Sequence, residues 1–392
     1  MAVPGVSFPM LRPFLTLVLS LALVAAEPVV IGLDAEFGHK ASQSAQAIEH
    51  GARIALAELN AAGGVLGGRP LRLETRDNRS LPARAEANLR ELAALPEVVA
   101  VIGGKFSNAL LPCVPLVHEL GLPLLLPWSS ADGIIDHGRT PSWTFRLSLK
   151  DSWVVPALLA RAAASGFKHP GLLLPANSWG RSNQIAAEKH LASTGMAHAG
   201  FAWYPFGATT MAAPYNQLRA NQADVLILVA NESEGAVLVQ ELAQRPTAER
   251  LPLICHWGLT GGDFTRLTGP ALAAVDLQVV QTFSFISAVS PARDRVLAAL
   301  IAAHGATRAE DVPAPIGTAQ AYDLVHLLAQ AIQVAGSTDR RKIRDALEHL
   351  GPHDGLIRRY AAPWTPERHE ALDPSAIIFC RWDPAGVLRP SP

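Results

Sequence analysis

The sequence predicts an α/β protein of two halves, each a parallel β-sheet with helices on both of its faces. Three observations predict it. Strand-like apolar runs alternate with segments of helical periodicity over residues 29–335, which is typical of parallel sheets. The run at 98–102 is apolar throughout and the run at 224–230 is strongly apolar, as strands covered on both faces are. At 392 residues, the chain is also longer than one hydrophobic core usually serves.

The elements of the first half follow from local patterns. Apolar residues recur at helical spacing over 48–60, and the glycines that follow mark the end of that helix. A proline at the start of 82–95 suits the first turn of a second helix. The remaining elements are predicted as strands at 29–33, 71–74, 98–102, 122–126 and 143–147, and a helix at 109–120.

The second half repeats the alternation without a close sequence repeat. No low-complexity linker separates the halves, which favours a hinge and a cleft between them. The predicted strands are 171–174, 201–204, 224–230, 251–255, 277–283 and 376–382. The predicted helices are 152–165, 184–193, 212–220, one that ends at 243, and then 291–303, 317–335 and 339–350.

Composition excludes several classes of protein. The formal net charge is -1 and the lysines, Lys105 among them, are scattered, so we expect no nucleic-acid partner. The sequence has no GxSxG elbow, no phosphate-binding P-loop and no GxGxxG after the first strand, so we expect neither an enzyme nor a nucleotide cofactor. CxxC and HExxH are also absent, and no metal site is predicted. The three cysteines allow one disulfide, and the pattern does not choose the pair.

The N-terminus has the pattern of a cleaved secretory signal peptide at residues 1–26. Arg12 supplies the positive charge, 14–24 is an apolar run too short to span a bilayer comfortably, and Ala25 and Ala26 are small residues at the cleavage end. The alternative is an uncleaved anchor. Export through such a signal places the mature chain outside the cytoplasm.

A candidate ligand site follows the strand at 98–102. Gly103 and Gly104 form a turn, and Ser107 stands where the next helix begins. A helix N-terminus offers free N–H groups, and a hydroxyl beside them suits an anion. The alternative is that Ser107 is only the N-cap of that helix, because serine is a favoured cap.

Local patterns along most of the chain resemble one family. ELNAAGGVLGG at 58–68 is the most specific of them. The others, in order, are TRDN, VVAVIGG, GLPLLLP, TFRL, the Trp179-Gly180 pair and ADVLILVA. With them the chain resembles the periplasmic type I solute-binding proteins of ABC importers, in the branched-chain amino acid and amide group. The resemblance implies two lobes joined by three crossings, with a ligand cleft that closes between them. It places residues 27–146 and 283–372 in lobe 1, and 147–282 and 373–392 in lobe 2.

The resemblance also implies site residues. A ligand carboxylate would be held by Ser107 and by the segment Trp128, Ser129 and Ser130. Trp179 would cover the ligand, and Asp151 matches a polar position of the cleft. Two positions depart from the family pattern. Trp257 stands where an acidic residue binds the ligand ammonium, and Asn231 stands where a tyrosine is usual. Acids that could replace the missing one are Asp34, Glu36, Asp151, Glu232 and Glu234.

The resemblance implies a binding protein that passes its ligand to an ABC permease, and we expect it to be a periplasmic monomer. We expect the ligand to carry a carboxylate or an amide, with an aromatic or apolar body between tryptophans, of which Trp153 is a further candidate. The alternative function is a soluble sensor that signals to a membrane partner.

Overall fold

The computed structural model describes residues 1–3, 5, 26–40 and 42–391. The predicted signal peptide, residues 1–26, falls almost entirely outside the described residues. Within the described part of the chain, no helix combines the length and the apolar character needed to cross a membrane.

The first sheet has the strand order β2-β1-β3-β4-β5, and all of its neighbouring strands are parallel. Its central strands are buried on both faces, as their apolar sequences predict. The strands are β1 (Val29–Ala35), β2 (Leu71–Asp77), β3 (Val98–Gly103), β4 (Leu124–Leu126) and β5 (Thr144–Arg146).

Helices α1 (Ser44–Ala61) and α2 (Pro82–Ala94) lie where the sequence predicts them. The prediction of a single helix at 109–120 is wrong. A 3₁₀ turn divides this segment into α3 (Ser107–Leu110) and α4 (Val114–Leu120). Pro112 lies in that turn and has no N–H to donate to an α-helical partner, which explains the break.

The second sheet has the order β14-β13-β10-β9-β8-β6-β7. The five strands from β10 to β7 are parallel, and a C-terminal hairpin adds two antiparallel strands at the β10 edge. The last strand of the hairpin is not predicted by the sequence. The strands are β6 (Pro170–Pro175), β7 (Gly200–Tyr204), β8 (Val225–Leu228), β9 (Leu253–Cys255), β10 (Leu277–Gln281), β13 (Ile378–Trp382) and β14 (Leu388–Pro390).

The helices of the second half cover both faces of this sheet. The helix predicted at 184–193 begins earlier, because Asn177 caps it by accepting a hydrogen bond from Gly180 N at 3.0 Å. The helices are α5 (Asp151–Ala164), α6 (Ser178–Thr194), α7 (Ala212–Ala220), α8 (Glu232–Ala243) and α9 (Phe264–Thr268).

The chain then returns to the first sheet. Helix α11 packs along α1. Gly51 makes this close approach possible, because a Cβ there would overlap the Thr318 carbonyl. The remaining elements are α10 (Pro291–Ala303), α11 (Pro315–Ala335), α12 (Arg340–Leu347) and a small hairpin of β11 (His353–Asp354) and β12 (Arg359–Tyr360).

The chain passes between the two halves after β5, after β10 and before β13. The first and third of these crossings are hydrogen-bonded to each other. Arg146 N donates to His369 O, and Ala371 N donates to Arg146 O, both at 2.8 Å. The Arg146 guanidinium is buried here against Glu370, with Nε 3.4 Å from the carboxylate. Paired backbone and a buried cation therefore hold the first and third crossings together.

Candidate ligand-binding cleft

The cleft lies where the carboxyl ends of strands from the two sheets meet. Loops after β3 and β4 contribute from the first sheet, and loops after β6, β8 and β9 contribute from the second. Ligands of parallel α/β sheets bind at these ends, because the loops and helix N-termini gather there. The lining residues are Lys105, Phe106, Ser107, Asn108, Trp128, Ser130, Trp179, Asn231, Trp257 and Gly258.

Most of the residues predicted for the ligand reach one shared cavity. Those that line it are Ser107, Trp128, Ser130, Trp179, Asn231 and Trp257. Ser129 and Asp151 lie behind it. The space left for the centre of a water-sized sphere is about 10 Å³, which corresponds to roughly one water molecule. The two halves are therefore closed on their own side chains in this structure.

Ser107 is not the N-cap that the alternative interpretation proposed. It is the first residue of α3, and the preceding Phe106 makes no side-chain cap. The Ser107 hydroxyl oxygen accepts from Ser130 N at 3.0 Å and from Ala131 N at 3.2 Å. Its hydroxyl proton is donated to none of the described residues, so it can be given to a ligand oxygen in the cavity.

Ser129 faces the turn between β3 and α3 and does not face the cavity. Its hydroxyl donates to Gly104 O at 2.7 Å and lies 3.2 Å from Lys105 O. The side chain is fully buried. The prediction that Ser129 contacts the ligand is therefore not supported by its position, since its hydroxyl is used to hold the two loops of the first sheet together.

Arg146 holds the loop after β4, and the sequence analysis did not identify this role. Its Nη1 donates to Ser130 O at 2.7 Å and its Nη2 donates to Ala131 O at 2.8 Å. A planar guanidinium can hold two carbonyls at once, which fixes the direction of the loop. The signal in the sequence is an arginine at the end of a strand that is otherwise fully buried.

Trp179 reaches from the second half into the cavity. It lies in the first turn of α6, and its indole Nε1 is 3.1 Å from Ser130 Oγ and 3.3 Å from Asp151 Oδ1. Gly258 lies against the indole, because a Cβ at that position would come 2.9 Å from the ring. A glycine is thus needed for the tryptophan to lie across the cleft.

Asp151 lies behind Trp179, so the structure places it outside the cavity. Besides the indole N–H, its Oδ1 is 3.2 Å from His256 Nε2. The His256 ring meets both neighbouring indoles edge-on, at 5.0 Å from Trp179 and 5.3 Å from Trp257. Asp151 therefore positions Trp179, and His256, which the sequence analysis did not place at the ligand, packs between two tryptophans of the cavity wall.

The three other tryptophans predicted for the ligand divide into two groups. Trp128 and Trp257 are both nearly fully buried and line the cavity. The Trp128 Nε1 is buried without a hydrogen-bond partner among the described residues, so it is a second free donor. Trp153 is not at the cleft. It lines a separate groove with Lys150, whose ammonium lies 5.1 Å from its ring centroid.

Lys105 is the residue that sequence reasoning missed most clearly. Its ammonium extends from the first half to Glu232, at 2.6 Å from each carboxylate oxygen. It also donates to Gly258 O at 3.2 Å. Asn231, next to Glu232, precedes α8 without using its side-chain amide as a cap, and the residue lines the cavity. The ion pair and the amide both belong to the closed arrangement.

The acids considered as replacements lie outside the cavity lining. Glu36 is buried and accepts from Ser44 Oγ and Lys105 N, and burial raises its pKa although Ser44 and Lys105 oppose this. Burial also raises the pKa of Asp34 to about 7, with two asparagine amides lowering it. Glu234 accepts from Gly207 N at 2.9 Å. In the described residues no cluster of three or more His, Cys, Asp or Glu side chains could hold a metal ion.

Two α/β lobes around a closed cleft define the class of two-lobed solute-binding proteins. The family model described as a periplasmic binding protein matches residues 28–383. The chain belongs to this family, as its resemblance predicted. A curated relative, the Leu/Ile/Val-binding protein BraC3 of Rhizobium johnstonii, is 23% identical over 328 residues, which cover 83% of this chain and 84% of that protein.

Solved structures show the same fold. The type 1 periplasmic binding protein from Bordetella pertussis Tohama I has a TM-score of 0.81 at 20% identity, covering 93% of this chain and 100% of that one. A solute-binding protein of an ABC transporter from R. palustris, solved in complex with 4-hydroxybenzoate, has a TM-score of 0.78 at 17% identity, covering 93% and 96%. These likenesses confirm the two-lobed α/β fold.

Proposed function

We propose that the chain is the extracytoplasmic solute-binding protein of an ABC importer, and that it binds a small carboxylate or amide between its lobes. One observation carries the proposal. Hydroxyl, indole and amide groups from both halves converge on one cavity, and none of the described carboxylates lines it. Such a lining suits a ligand that presents oxygen acceptors and an apolar or aromatic body.

The two ends of the ligand would meet different parts of the wall. Its oxygen atoms would accept from the Ser107 hydroxyl and from the Trp128 indole N–H, which donate to no acceptor among the described residues. Its body would lie against the rings of Trp179 and Trp257. The R. palustris protein, whose ligand is an aromatic acid, supports this ligand class, and the name of BraC3 supports branched-chain amino acids instead.

Closure would couple binding to transport. Trp179, Asn231 and Trp257 come from the second half, so their contacts to a ligand on the first half exist only when the lobes are together. A ligand that makes these contacts shifts the population toward the closed form. The membrane permease would recognise that form. The relatives reported above are binding proteins, and none of them favours the alternative of a soluble sensor.

Isothermal titration of the purified protein tests the proposal, with a panel of aliphatic acids, aromatic acids, short amides and branched-chain amino acids. Native mass spectrometry first shows whether a small molecule is carried through purification. We expect one ligand per chain, and we expect Ser107→Ala to weaken its binding. If no member of the panel binds and no small molecule is carried along, the proposal is wrong. Tight binding of leucine without binding of any aromatic acid would overturn the ligand class.

A further inference from the structure

The Lys105 ammonium occupies the place in the cleft where a cation is best held. It lies against the Glu232 carboxylate from the opposite lobe and between the rings of Phe106 and Trp128, 4.9 and 5.7 Å from their centroids. We propose that this ammonium takes the cation position of the cleft, so that the ligand is a carboxylate or amide without an amino group. The inference rests on the proposed function and names its ligand more narrowly.

The hydrogen bonds of Lys105 are complete within the protein. An ammonium has three N–H donors, and Lys105 Nζ has three acceptors: Glu232 Oε1, Glu232 Oε2 and Gly258 O. No donor is left over for a ligand oxygen. Lys105 therefore does not serve as the anchor for a ligand carboxylate, and the free donors of Ser107 and Trp128 remain for that purpose.

Glu232 is equally committed. Its carboxylate is fully buried, and Oε1 accepts from Ser42 Oγ at 3.0 Å in addition to Lys105. The other carboxylates near the cleft do not line the cavity. Glu36 accepts from Lys105 N, and Asp151 lies behind Trp179, where its Oδ1 accepts from the indole and its Oδ2 has no partner among the described residues. A ligand ammonium would find no carboxylate of the described chain exposed in the cavity.

Displacement of Lys105 by a ligand ammonium would be costly. Removing one partner of a buried ion pair leaves a charge in a medium that solvates it poorly. The Lys105 side chain is 3% exposed and Glu232 is 0% exposed, so both charges are out of water in the closed form. Lys105 is also the one charged residue among the described residues that line the cavity, so an approaching amine meets a cation.

Pairs of ligands that differ only in the amino group test the inference. We would titrate the wild-type chain with 4-methylpentanoate against leucine, and with 3-phenylpropanoate against phenylalanine. The wild type should bind the amine-free member of a pair at least 10-fold more tightly. Lys105→Met keeps the length of the side chain and releases Glu232, so it should shift the preference toward the amino acid by at least 10-fold.

Two further variants separate the ion pair from other effects. Lys105→Met combined with Glu232→Gln removes the released carboxylate, so the gain in amino-acid binding should disappear. Lys189→Met changes an exposed lysine on α6 away from the cleft and should leave the preference as it is in the wild type.

The outcomes are distinct. If the wild type binds leucine or phenylalanine as tightly as the matching acid, the inference is overturned, and the proposal that the chain binds a small molecule between its lobes for an ABC importer stands. If the wild type binds no member of the titration panel or of either pair and carries no small molecule through purification, both are overturned. If Lys105→Met does not fold, the comparison within each pair on the wild-type chain still decides between these results.

Discussion

The indole N–H of Trp179 lies 3.1 Å from the hydroxyl oxygen of Ser130. Trp179 belongs to the first turn of α6 beside the second sheet, and Ser130 belongs to the loop after β4 of the first sheet. The bond therefore connects the two lobes directly at the cavity wall. It can exist only while the lobes are closed, and it places a large aromatic face against the position proposed for the ligand.

Replacement of Trp179 by alanine should weaken ligand binding. The ring offers a large apolar contact area to the ligand body, and the loss should be about 1–3 kcal/mol. Isothermal titration measures it. Trp179→Phe keeps an aromatic face and loses the indole N–H, so it should retain part of the affinity.

Trp153→Ala is the matched control for this prediction. It removes a tryptophan from α5 that lines a separate groove, so ligand affinity should stay at the wild-type value. Equal losses in the Trp153 and Trp179 variants would argue that the Trp179 effect comes from a general loss of packing.

Replacement of Ser107 by alanine should affect both stability and binding. The change leaves the N–H groups of Ser130 and Ala131 without their acceptor, and a buried unpaired donor costs about 1–3 kcal/mol. Urea unfolding should show this loss, and titration should show weaker binding because the free hydroxyl proton is also lost. Ser193→Ala, on an exposed stretch of α6, should change neither. Wild-type affinity in the Ser107 variant would remove this residue from the site.

Glu370 makes the stability of the protein depend on pH. Burial raises the pKa of this carboxyl from 4.5 to about 7, and Arg146 opposes the shift only in part. Both carboxylate oxygens lack a hydrogen-bond partner among the described residues. The folded state keeps the proton over a pH range in which the unfolded state releases it. The stabilising contribution is therefore complete below pH 4.5 and is lost as the pH rises through about 7.

Glu370→Gln removes this titration and keeps an oxygen near Arg146. Between pH 4.5 and 7.5 the free energy of unfolding of the wild type should fall, relative to the variant, by roughly 3 kcal/mol at most. Denaturant unfolding at several pH values measures the difference, in which the similar contribution of Asp34 cancels. Parallel curves for the two proteins would show that Glu370 does not titrate in this range.

The three cysteines should all be free thiols. Cys255 on β9 and Cys380 on β13 both pair with Val279 of the strand between them. Two strand spacings separate them by about 10 Å, which is beyond the Cα separation that a disulfide allows. Cys113 packs in a different core, behind the first sheet. A thiol assay in denaturant should count three per chain, and reductant should not change Tm. A count of one would mean that a disulfide forms.

The sequence predicts the sheets well because their strands are nearly continuous apolar runs, and a buried parallel strand needs little else. It predicts the cavity position for a related reason. Strand ends in such folds converge, so polar and aromatic residues just after strands are brought together. The direction of each side chain is decided by neighbours distant in the chain, and Ser129 and Asp151 are misplaced for this reason.

Lys105 shows most clearly which features of the site the sequence does not predict. A lysine just after a glycine turn has the pattern of a solvated surface residue, and its partner Glu232 lies 127 positions further along the chain. Their contact needs the two lobes to be closed, which no local pattern records. The buried carboxylate of Asp323 in α11 has a structural role. It accepts from Leu356 N and Ile357 N and from the Tyr360 hydroxyl, and burial raises its pKa to about 6.

The central claim is that a small acid or amide is held between the lobes, with its oxygens at Ser107 and its body at Trp179. A crystal structure of the chain with the small molecule carried through purification, or with the tightest ligand of the titration panel, tests it most directly. The account predicts the ligand in the interlobe cavity, with an oxygen within hydrogen-bond distance of Ser107 Oγ and the Trp179 ring against its body. A ligand bound outside this cavity, or one whose oxygens lie away from Ser107 and whose body does not contact Trp179, would contradict it.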